Sequence, residues 1–231
     1  MPTILLIRHG ESQSNAGLPT SNPKSVELTE RGKEQAQNVA DFLKSHFHPD
    51  LIVTSAYERT KQTALPTKSF FWPYFVEEEW DVQEFTYLSS WHKVPSTVED
   101  RREYARQYWE LSDPKHIDAP ESEPESESKP ESFEQFIARA QKVMIDLKNT
   151  IYDKVAVFSH QQFLCALLWL SQQDRLKLCP DTMRNFKEFL AVHPIPNGGI
   201  VRVQFEQYND NWQIERITSH LKSLEPAMAR K

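Results

Sequence analysis

The chain has 231 residues, of which 39% are hydrophobic and 11% aromatic. That length predicts one large α/β domain with a substantial buried interior, and the apolar and aromatic content excludes an intrinsically disordered chain. The formal net charge of -6 disfavours the basic surface typical of nucleic-acid-binding proteins, and the sequence has no apolar run long enough to span a membrane.

The N-terminal residues 1–3 lead directly into a predicted strand, without the basic and apolar regions of a secretory leader. The chain has two cysteines, of which Cys165 falls in an apolar helix and Cys179 precedes a proline. This usage is typical of buried or isolated thiols rather than of a disulfide framework. Both features favour a cytosolic protein.

The first predicted strand ends in a cluster of polar residues. Residues 4–7 are consecutively apolar, as in a buried strand, and Arg8 and His9 follow directly. In open α/β sheets, ligands gather at the carboxyl ends of strands. A guanidinium suits phosphate oxygens, and a neutral imidazole can act as a nucleophile or a base. Arg8 and His9 are therefore candidates for an anion site, and Asn15 could supply a further donor.

Two helices are predicted next. Thr29 is a good N-cap for an amphipathic helix, although Gly32 stands where a complete capping box would have Glu or Gln. A second strand is predicted over residues 50–55, and a second helix follows it. Arg59 lies in the first turn of this helix, so its guanidinium and the helix dipole would act together on an anion.

A further strand is predicted within residues 70–76, at a sheet edge or with a bulge because Pro73 cannot donate to a ladder. Several carboxylates follow this strand. They are Glu77, Glu78, Glu79, Asp81 and Glu84. Because they cluster, most of them are expected to be solvated surface charges.

Residues from Tyr87 to about Ala119 predict a helical insertion, with its clearest helix over residues 97–111. Its cations could contact a second anionic group on a ligand, although such residues more often form an ordinary polar helix face. These cations are His92, Lys93, Arg101, Arg102 and Arg106.

An acidic segment rich in Pro, Glu and Ser follows the insertion. Between Asp118 and Glu131 there are six acidic side chains and one lysine, so this segment carries a charge of -5 and the rest of the chain about -1. Its apolar groups are too few to offset the entropy of ordering, and residues 119–130 are therefore predicted to form a mobile loop.

The second half of the sequence predicts further helices and strands. Ser132 begins the most amphipathic helix of the chain with a capping-box pattern. Residues 154–159 predict a buried strand with His160 at its end, followed by an apolar helix. A short helix capped by Asp181 and a hairpin within residues 200–217 come last.

Four segments together resemble the histidine phosphatase (phosphoglycerate mutase-like) superfamily, in particular its phosphatase branch. In the family's order they are R-H-G-E-S-x-x-N from residue 8, L-T-E-R-G-K-E-Q-A from residue 28, S-A-Y-E-R-T-K-Q-T-A from residue 55 and V-F-S-H from residue 157. The resemblance implies an α/β three-layer sandwich, with a mostly parallel sheet flanked by helices. It implies a single domain over residues 1–231, with the helical insertion and acidic loop at about 87–131.

The resemblance also implies roles for the candidate residues. His9 would attack phosphorus and become a phosphohistidine, while Glu84 would protonate the leaving oxygen and later activate water. The ligand would be a small phosphorylated molecule, and no metal or other cofactor is expected because arginines would take the role of a metal ion. The residues expected to bind the phosphoryl group are Arg8, Asn15, Arg59, His160 and Gln161.

One departure from the family pattern leaves the substrate open. Family members usually have glycine after the second histidine, whereas Gln161 follows His160 here. A larger side chain at this position could narrow the anion pocket or lend it a donor. The glutamine at this position therefore leaves the substrate open more than it does the type of reaction.

Two other functions remain open. A phosphoglycerate mutase would retain the phosphohistidine and pass the phosphoryl group to a second carbon, but the basic, proline-rich insertion of such mutases is not found here. A catalytically silent phosphate-binding scaffold would differ most simply by loss of the acid at Glu84. Fold resemblance alone does not separate these functions.

Overall fold

The computed structural model describes residues 1–89, 95–118, 130–173, 175–205 and 212–224. These residues form one mixed sheet with helices on both faces. The strands are β1 (Thr3–Arg8), β2 (Leu51–Thr54), β3 (Val76–Glu79), β4 (Lys154–Ser159), β5 (Ile200–Phe205) and β6 (Trp212–Ile217). The helices are α1 (Glu30–His46), α2 (Glu58–Phe71), α3 (Val98–Leu111), α4 (Phe133–Lys148), α5 (Gln161–Leu170), α6 (Pro180–Val192) and a 3-10 helix (Ser219–Leu224).

The strand order is β3-β2-β4-β1-β5-β6. The first four strands of this order are parallel, and β5 and β6 extend the sheet in antiparallel pairing. In the β1–β4 register Arg8 lies opposite Ser159. His9 and His160, the next residue of each chain segment, therefore leave the sheet at the same edge.

The side chains of β1 alternate between the two faces of the sheet. Ile4 and Leu6 belong to the core under α4 and α5, whereas Leu5 and Ile7 belong to the core under α1 and α2. All four are fully buried, as expected for a strand covered on both sides. The predicted three-layer α/β sandwich with a mostly parallel sheet is confirmed.

The helix starts predicted at Thr29, Thr97 and Ser132 are confirmed. Each of these side chains accepts a hydrogen bond from the backbone N–H three residues further along the chain. Asp100 and Gln135 return hydrogen bonds to their N-cap residues and complete capping boxes on α3 and α4.

Two predicted boundaries are wrong. The strand expected within residues 70–76 lies later, because α2 continues through Phe71 and the acidic run itself forms β3. Since β3 is an edge strand with exposed side chains, acidic residues are tolerated there. Helix α6 begins at Pro180, which fits the first turn, so Cys179 and not Asp181 is the N-cap.

The predicted insertion contributes α3, which packs on the ring of Phe85. The rings of Tyr87, Tyr108 and Trp109 lie 4.9, 6.0 and 6.1 Å from that of Phe85, measured between centroids. Helix α3 therefore shares the core that covers one face of the sheet. Of the acidic mobile loop predicted over residues 119–130, residues 119–129 lie outside the described residues.

The described helices include none that is both long and apolar enough to cross a membrane.

Candidate active site

His9 and His160 meet at the carboxyl edge of the sheet. Their ring centroids are 5.1 Å apart and their planes are inclined by 59°. Both side chains are buried, with 4% and 0% of their surface exposed. His9 follows β1, and His160 lies between β4 and α5 as the N-cap of that helix. The parallel register of β1 and β4 thus brings together two imidazoles that are distant in sequence.

A cavity of about 320 Å³ opens at this edge. Its polar lining includes seven of the residues singled out in the sequence, namely Arg8, His9, Asn15, Arg59, Glu84, Arg101 and Arg102. His160 does not itself line the cavity, but it contacts His9.

The hydrogen bonds of His9 define its tautomer. Nδ1 lies 2.7 Å from the carbonyl oxygen of Gly10, which can only accept, so Nδ1 carries the proton. The Nε–H of Arg59 donates to Nε2 at 3.2 Å, so Nε2 carries a lone pair. His9 is therefore a neutral imidazole with its lone pair on Nε2.

The surroundings of His9 keep it neutral. Burial and the charges of Arg59 and Arg8 lower the pKa of His9 well below its usual value, and the hydrogen bond to Gly10 opposes this only in part. Protonation would add a third positive charge next to two guanidinium groups. The lone pair of Nε2 is thus available at neutral pH.

Arg8 and Arg59 are fixed by backbone carbonyls. Arg8 donates from Nη1 to the oxygen of Ile195 at 2.6 Å, and Arg59 donates from Nη1 to the oxygen of Pro23 at 2.6 Å. Burial lowers the pKa of both groups, that of Arg59 to about 10, so Arg59 remains protonated at neutral pH. Their remaining N–H groups form a cationic end of the cavity that suits a phosphoryl dianion.

Glu84 lies at the N-terminus of α5. Its carboxylate accepts hydrogen bonds from the backbone N–H of Gln162 at 3.0 Å, of Phe163 at 3.3 Å and of Phe85 at 3.1 Å. These donors and the two arginines stabilise the ionised form, but burial outweighs them and raises the pKa of Glu84. A carboxyl group with a raised pKa in a cationic cavity can give a proton to a leaving oxygen and take one from water.

The other four carboxylates of this region lie outside the cavity. Glu77 and Glu79 on β3 pair with surface lysines, Glu78 accepts from the indole of Trp80, and Asp81 is exposed. Of the five candidates, Glu84 alone reaches the cavity.

His160 is oriented by Ser55, which follows β2. Its Nε2 lies 2.8 Å from the hydroxyl oxygen of Ser55, and that oxygen accepts a hydrogen bond from the backbone N–H of Tyr57. Burial and the charge of Arg59 lower the pKa of His160 well below its usual value. Its Nδ1 is buried and has no hydrogen-bond partner in the described protein.

Asn15 lies at the mouth of the cavity with its amide oriented by neighbours. Its Oδ1 accepts from the hydroxyl and backbone N–H of Ser12, and from the amide of Asn197 at 3.0 Å. Because the oxygen is the acceptor in all of these bonds, the NH₂ group can donate to a bound anion.

The structure does not place Gln161 in the cavity. Its Oε1 accepts from the backbone N–H of Ile195 at 2.9 Å, so it supports the loop whose carbonyl holds Arg8. Gln162 lines the cavity instead. Successive side chains of a helix point about 100° apart, and the sequence alone did not indicate which of the two glutamines faces the ligand.

The cations predicted in the insertion separate into three groups. Arg101 and Arg102 line the outer part of the cavity; Arg101 donates to Ser14 and Arg102 pairs with Glu99. Arg106 is on the outer surface, paired with Glu103 and Glu110. His92 and Lys93 lie outside the described residues.

Sequence reasoning missed the groups that orient the site. Ser55 is the last residue of a predicted strand, and that position was the available signal. No sequence signal pointed to Asn197 or to the contacts of Gln162, because their partners are backbone atoms or residues far away in the chain.

Across the described ranges, no three His, Cys, Asp or Glu side chains converge as metal ligands would. His46 and His48 are exposed and contact backbone carbonyls. Cys165 and Cys179 are free thiols.

The chain belongs to the histidine phosphatase superfamily (branch 1), whose sequence profile matches residues 4–219. It is similar to 6-phosphofructo-2-kinase/fructose-2,6-bisphosphatase of Aquarana catesbeiana, with 29% identity over 178 residues, which make up 72% of this chain and 32% of that protein. It is also similar to the uncharacterized phosphatase PhoE of Bacillus subtilis, with 34% identity over 64 residues, or 28% of this chain and 33% of that protein. These matches span about a third of the length of the curated relatives.

Solved structures share the fold. A putative alpha-ribazole-5'-P phosphatase from Escherichia coli has a TM-score of 0.68 and 22% identity, with 95% of this chain and 97% of that chain covered. A phosphoserine phosphatase from Entamoeba histolytica has a TM-score of 0.65 and 20% identity, with 96% and 100% covered. The sandwich described above is thus the fold of histidine phosphatases.

Proposed function

We propose that this chain is a phosphomonoester hydrolase that acts through a phosphohistidine on His9, without a metal ion. The observation that carries the proposal is the state of His9, a neutral imidazole whose Nε2 lone pair faces Arg59 at the cationic end of a cavity. Membership of the histidine phosphatase superfamily supports it.

In the first step, Nε2 of His9 attacks phosphorus, and the bond from phosphorus to the ester oxygen breaks. The electron pair of that bond goes to the departing oxygen, which takes the proton of Glu84 and leaves as an alcohol. Nδ1–H of His9 stays bound to the carbonyl of Gly10, which stabilises the positive charge that the ring acquires.

In the second step, water attacks the phosphohistidine. Glu84, now ionised, accepts a proton from this water, and the electron pair of the P–N bond returns to Nε2. Inorganic phosphate leaves, and both His9 and Glu84 regain their starting protonation states.

The substrate's phosphoryl group carries close to two negative charges, which repel an incoming nucleophile. Arg8 and Arg59 offset this charge, and Asn15 and Nδ1–H of His160 add donors to the outer oxygens. In the free protein, the Nε–H of Arg59 donates a hydrogen bond to Nε2 of His9. A bound phosphoryl oxygen would take over that donor and release the lone pair for attack.

The test measures phosphate release from two monoesters, 4-nitrophenyl phosphate and a simple alkyl phosphate, in the presence of EDTA. We expect turnover by the wild type that is lost in His9→Ala and kept in His46→Ala, which removes an exposed histidine on α1. Rapid quenching should trap phosphate on the protein that is acid-labile and base-stable, and His9→Ala should trap none.

Glu84→Gln tests the acid. General acid catalysis contributes on the order of a hundredfold or more, and mainly when the leaving oxygen is a poor one. We therefore expect kcat/KM to fall strongly for the alkyl phosphate and little for 4-nitrophenyl phosphate, whose leaving group needs no proton.

Three outcomes would contradict the proposal. Activity that EDTA removes and a divalent cation restores would refute metal independence. Isomerisation of 3-phosphoglycerate without net phosphate release would favour a mutase. Phosphate binding without turnover of any monoester in a panel of sugar phosphates, nucleotides and phosphopeptides would favour a silent scaffold.

A further inference from the structure

Glu84 belongs to an irregular segment, residues 81–86, that has no strand or helix to hold it. The segment follows β3 and precedes the insertion. In such a segment, backbone groups need partners from elsewhere in the molecule, and those partners fix the direction of the side chains. The carbonyl of Val82, for example, accepts from the hydroxyl of Ser159 at 2.6 Å.

Arg139 on α4 supplies two of these partners. Its Nη1 donates to the carbonyl oxygens of Asp81 at 2.8 Å and Gln83 at 2.9 Å. The second of these residues immediately precedes Glu84. Arg139 therefore holds the backbone next to the proposed acid without lining the catalytic cavity.

Glu131 holds the other edge of the guanidinium. Arg139 Nη2 donates to Glu131 Oε1 at 2.6 Å and Nε donates to Oε2 at 3.2 Å, a two-point contact with side chains only 11% and 19% exposed. The backbone N–H of Glu131 donates to the carbonyl of Thr86 at 2.8 Å. The ion pair thus binds the segment on both sides of Glu84.

Aromatic rings fix the plane of the same guanidinium. The Arg139 Cζ atom lies 4.8 Å from the ring centre of Phe163 and 5.4 Å from that of Phe136. Phe163 is also the residue whose backbone N–H donates to the Glu84 carboxylate. One side chain therefore connects the segment that carries Glu84 with the helix end that receives its carboxylate.

We propose that Arg139, held by Glu131, is a positioning residue that aims the carboxyl group of Glu84 at the leaving oxygen. The inference rests on the proposed role of Glu84 as the general acid. Proton transfer requires a donor within hydrogen-bond reach of the departing oxygen, so a segment displaced by about an ångström would lose much of the contribution of the acid. Arg139 does not touch the substrate.

The test uses the two monoesters introduced above and the variant Arg139→Met, which keeps an unbranched apolar stem. We expect kcat/KM for the alkyl phosphate to fall on the order of tenfold more than kcat/KM for 4-nitrophenyl phosphate. In the double variant Arg139→Met/Glu84→Gln, the loss should be no larger than in Glu84→Gln alone, because residues that act through one group are not additive.

Arg139→Lys and Glu131→Gln give the second measurement, in case Arg139→Met does not fold. A lysine keeps the charge but cannot contact two carbonyls and two carboxylate oxygens together. We expect both variants to lower kcat/KM more for the alkyl phosphate than for 4-nitrophenyl phosphate. The difference between the two esters should be smaller than in Arg139→Met. Arg106→Met is the matched control, since Arg106 makes a similar two-partner ion pair on the exposed face of α3, and its ratio of the two kcat/KM values should equal that of the wild type.

The results separate the two proposals. Suppose that Glu84→Gln lowers kcat/KM for the alkyl phosphate selectively while the Arg139 variants change kcat/KM for both esters equally, or for neither. In that case Arg139 has only a structural role, and the inference is refuted. If Glu84→Gln itself does not discriminate, the proposed acid is wrong and the inference falls with it.

Discussion

Gly10 and Gly32 approach each other backbone to backbone. A Cβ atom on Gly10 would lie 2.4 Å from the carbonyl oxygen of Gly32, and one on Gly32 would lie 2.0 Å from the carbonyl oxygen of Glu11. The loop that follows His9 therefore sits directly against the first turn of α1. This contact explains why the usual capping-box residue is absent at position 32, since no side chain fits there.

Gly32→Ala should destabilise the protein and displace the loop after His9. The obstructing atoms belong to the backbone and cannot rotate away, so we expect a loss of about 1–3 kcal/mol or more in the free energy of unfolding, together with a lower kcat. Denaturant titration and phosphate release measure the two effects. Glu34→Ala, at an exposed position of the same helix, should change neither. Wild-type stability in Gly32→Ala would show that the close approach is not needed.

Asn15→Asp should weaken phosphate binding more than Asn15→Ala. The aspartate keeps the oxygen that Ser12 and Asn197 contact, but it replaces the donating NH₂ group by an ionised oxygen that repels the phosphoryl group. We expect a raised KM in both variants and the larger increase in Asn15→Asp. Inorganic phosphate as a competitive inhibitor gives an independent measure. An equal effect of both variants would contradict a donor role for the amide.

Ser55→Ala should impair the site through His160. Removal of the hydroxyl leaves Nε2 of a buried imidazole without its partner, which costs about 1–3 kcal/mol. We expect a lower free energy of unfolding and a lower kcat/KM. Ser45→Ala removes an exposed hydroxyl that contacts a helix carbonyl and serves as the control. Unchanged kcat/KM in Ser55→Ala would mean that this hydrogen bond does not orient His160.

The free energy of unfolding should depend on pH through the two buried histidines. Both have pKa values well below 6.5, so below about pH 6.5 the unfolded chain binds more protons at these positions than the folded protein does. Each histidine therefore lowers the free energy of unfolding as the pH falls, by up to about 1.4 kcal/mol per pH unit.

The raised pKa of Glu84 contributes a slope of opposite sign, so single variants are compared. Urea titrations between pH 7 and pH 5 should give a smaller slope for His160→Gln than for the wild type. Ser45→Ala, which removes no titratable group, should keep the wild-type slope. A His160→Gln slope as steep as that of the wild type would show that His160 is not held neutral.

Much of the site could be predicted because its residues stand at the ends of buried strands. Apolar runs identify β1 and β4, and parallel pairing of such strands requires that the residues after them, His9 and His160, share an edge. Helix caps such as Thr29 and Ser132 are equally visible, because the capping interaction is local in sequence.

The remaining features depend on contacts that leave no local pattern. The sequence of β3 resembles a charged loop, and only its position at the edge of the sheet allows acidic side chains in a strand. The orientation of Gln161 depends on which residue begins α5. Arg139 resembles any polar residue on an amphipathic helix, since two of its partners are carbonyl oxygens more than fifty residues earlier in the chain.

The two histidines and the insertion are attached to different parts of the molecule. His9 and His160 depend on the register of β1 and β4, whereas the outer wall of the cavity comes from α3 and the residues before it. Substitution of Val98 and Ala105, which line the cavity from α3, should therefore change which phosphate esters fit the cavity while the His9–His160 pair stays in place. Substrate range and catalytic chemistry could accordingly diversify independently in this scaffold.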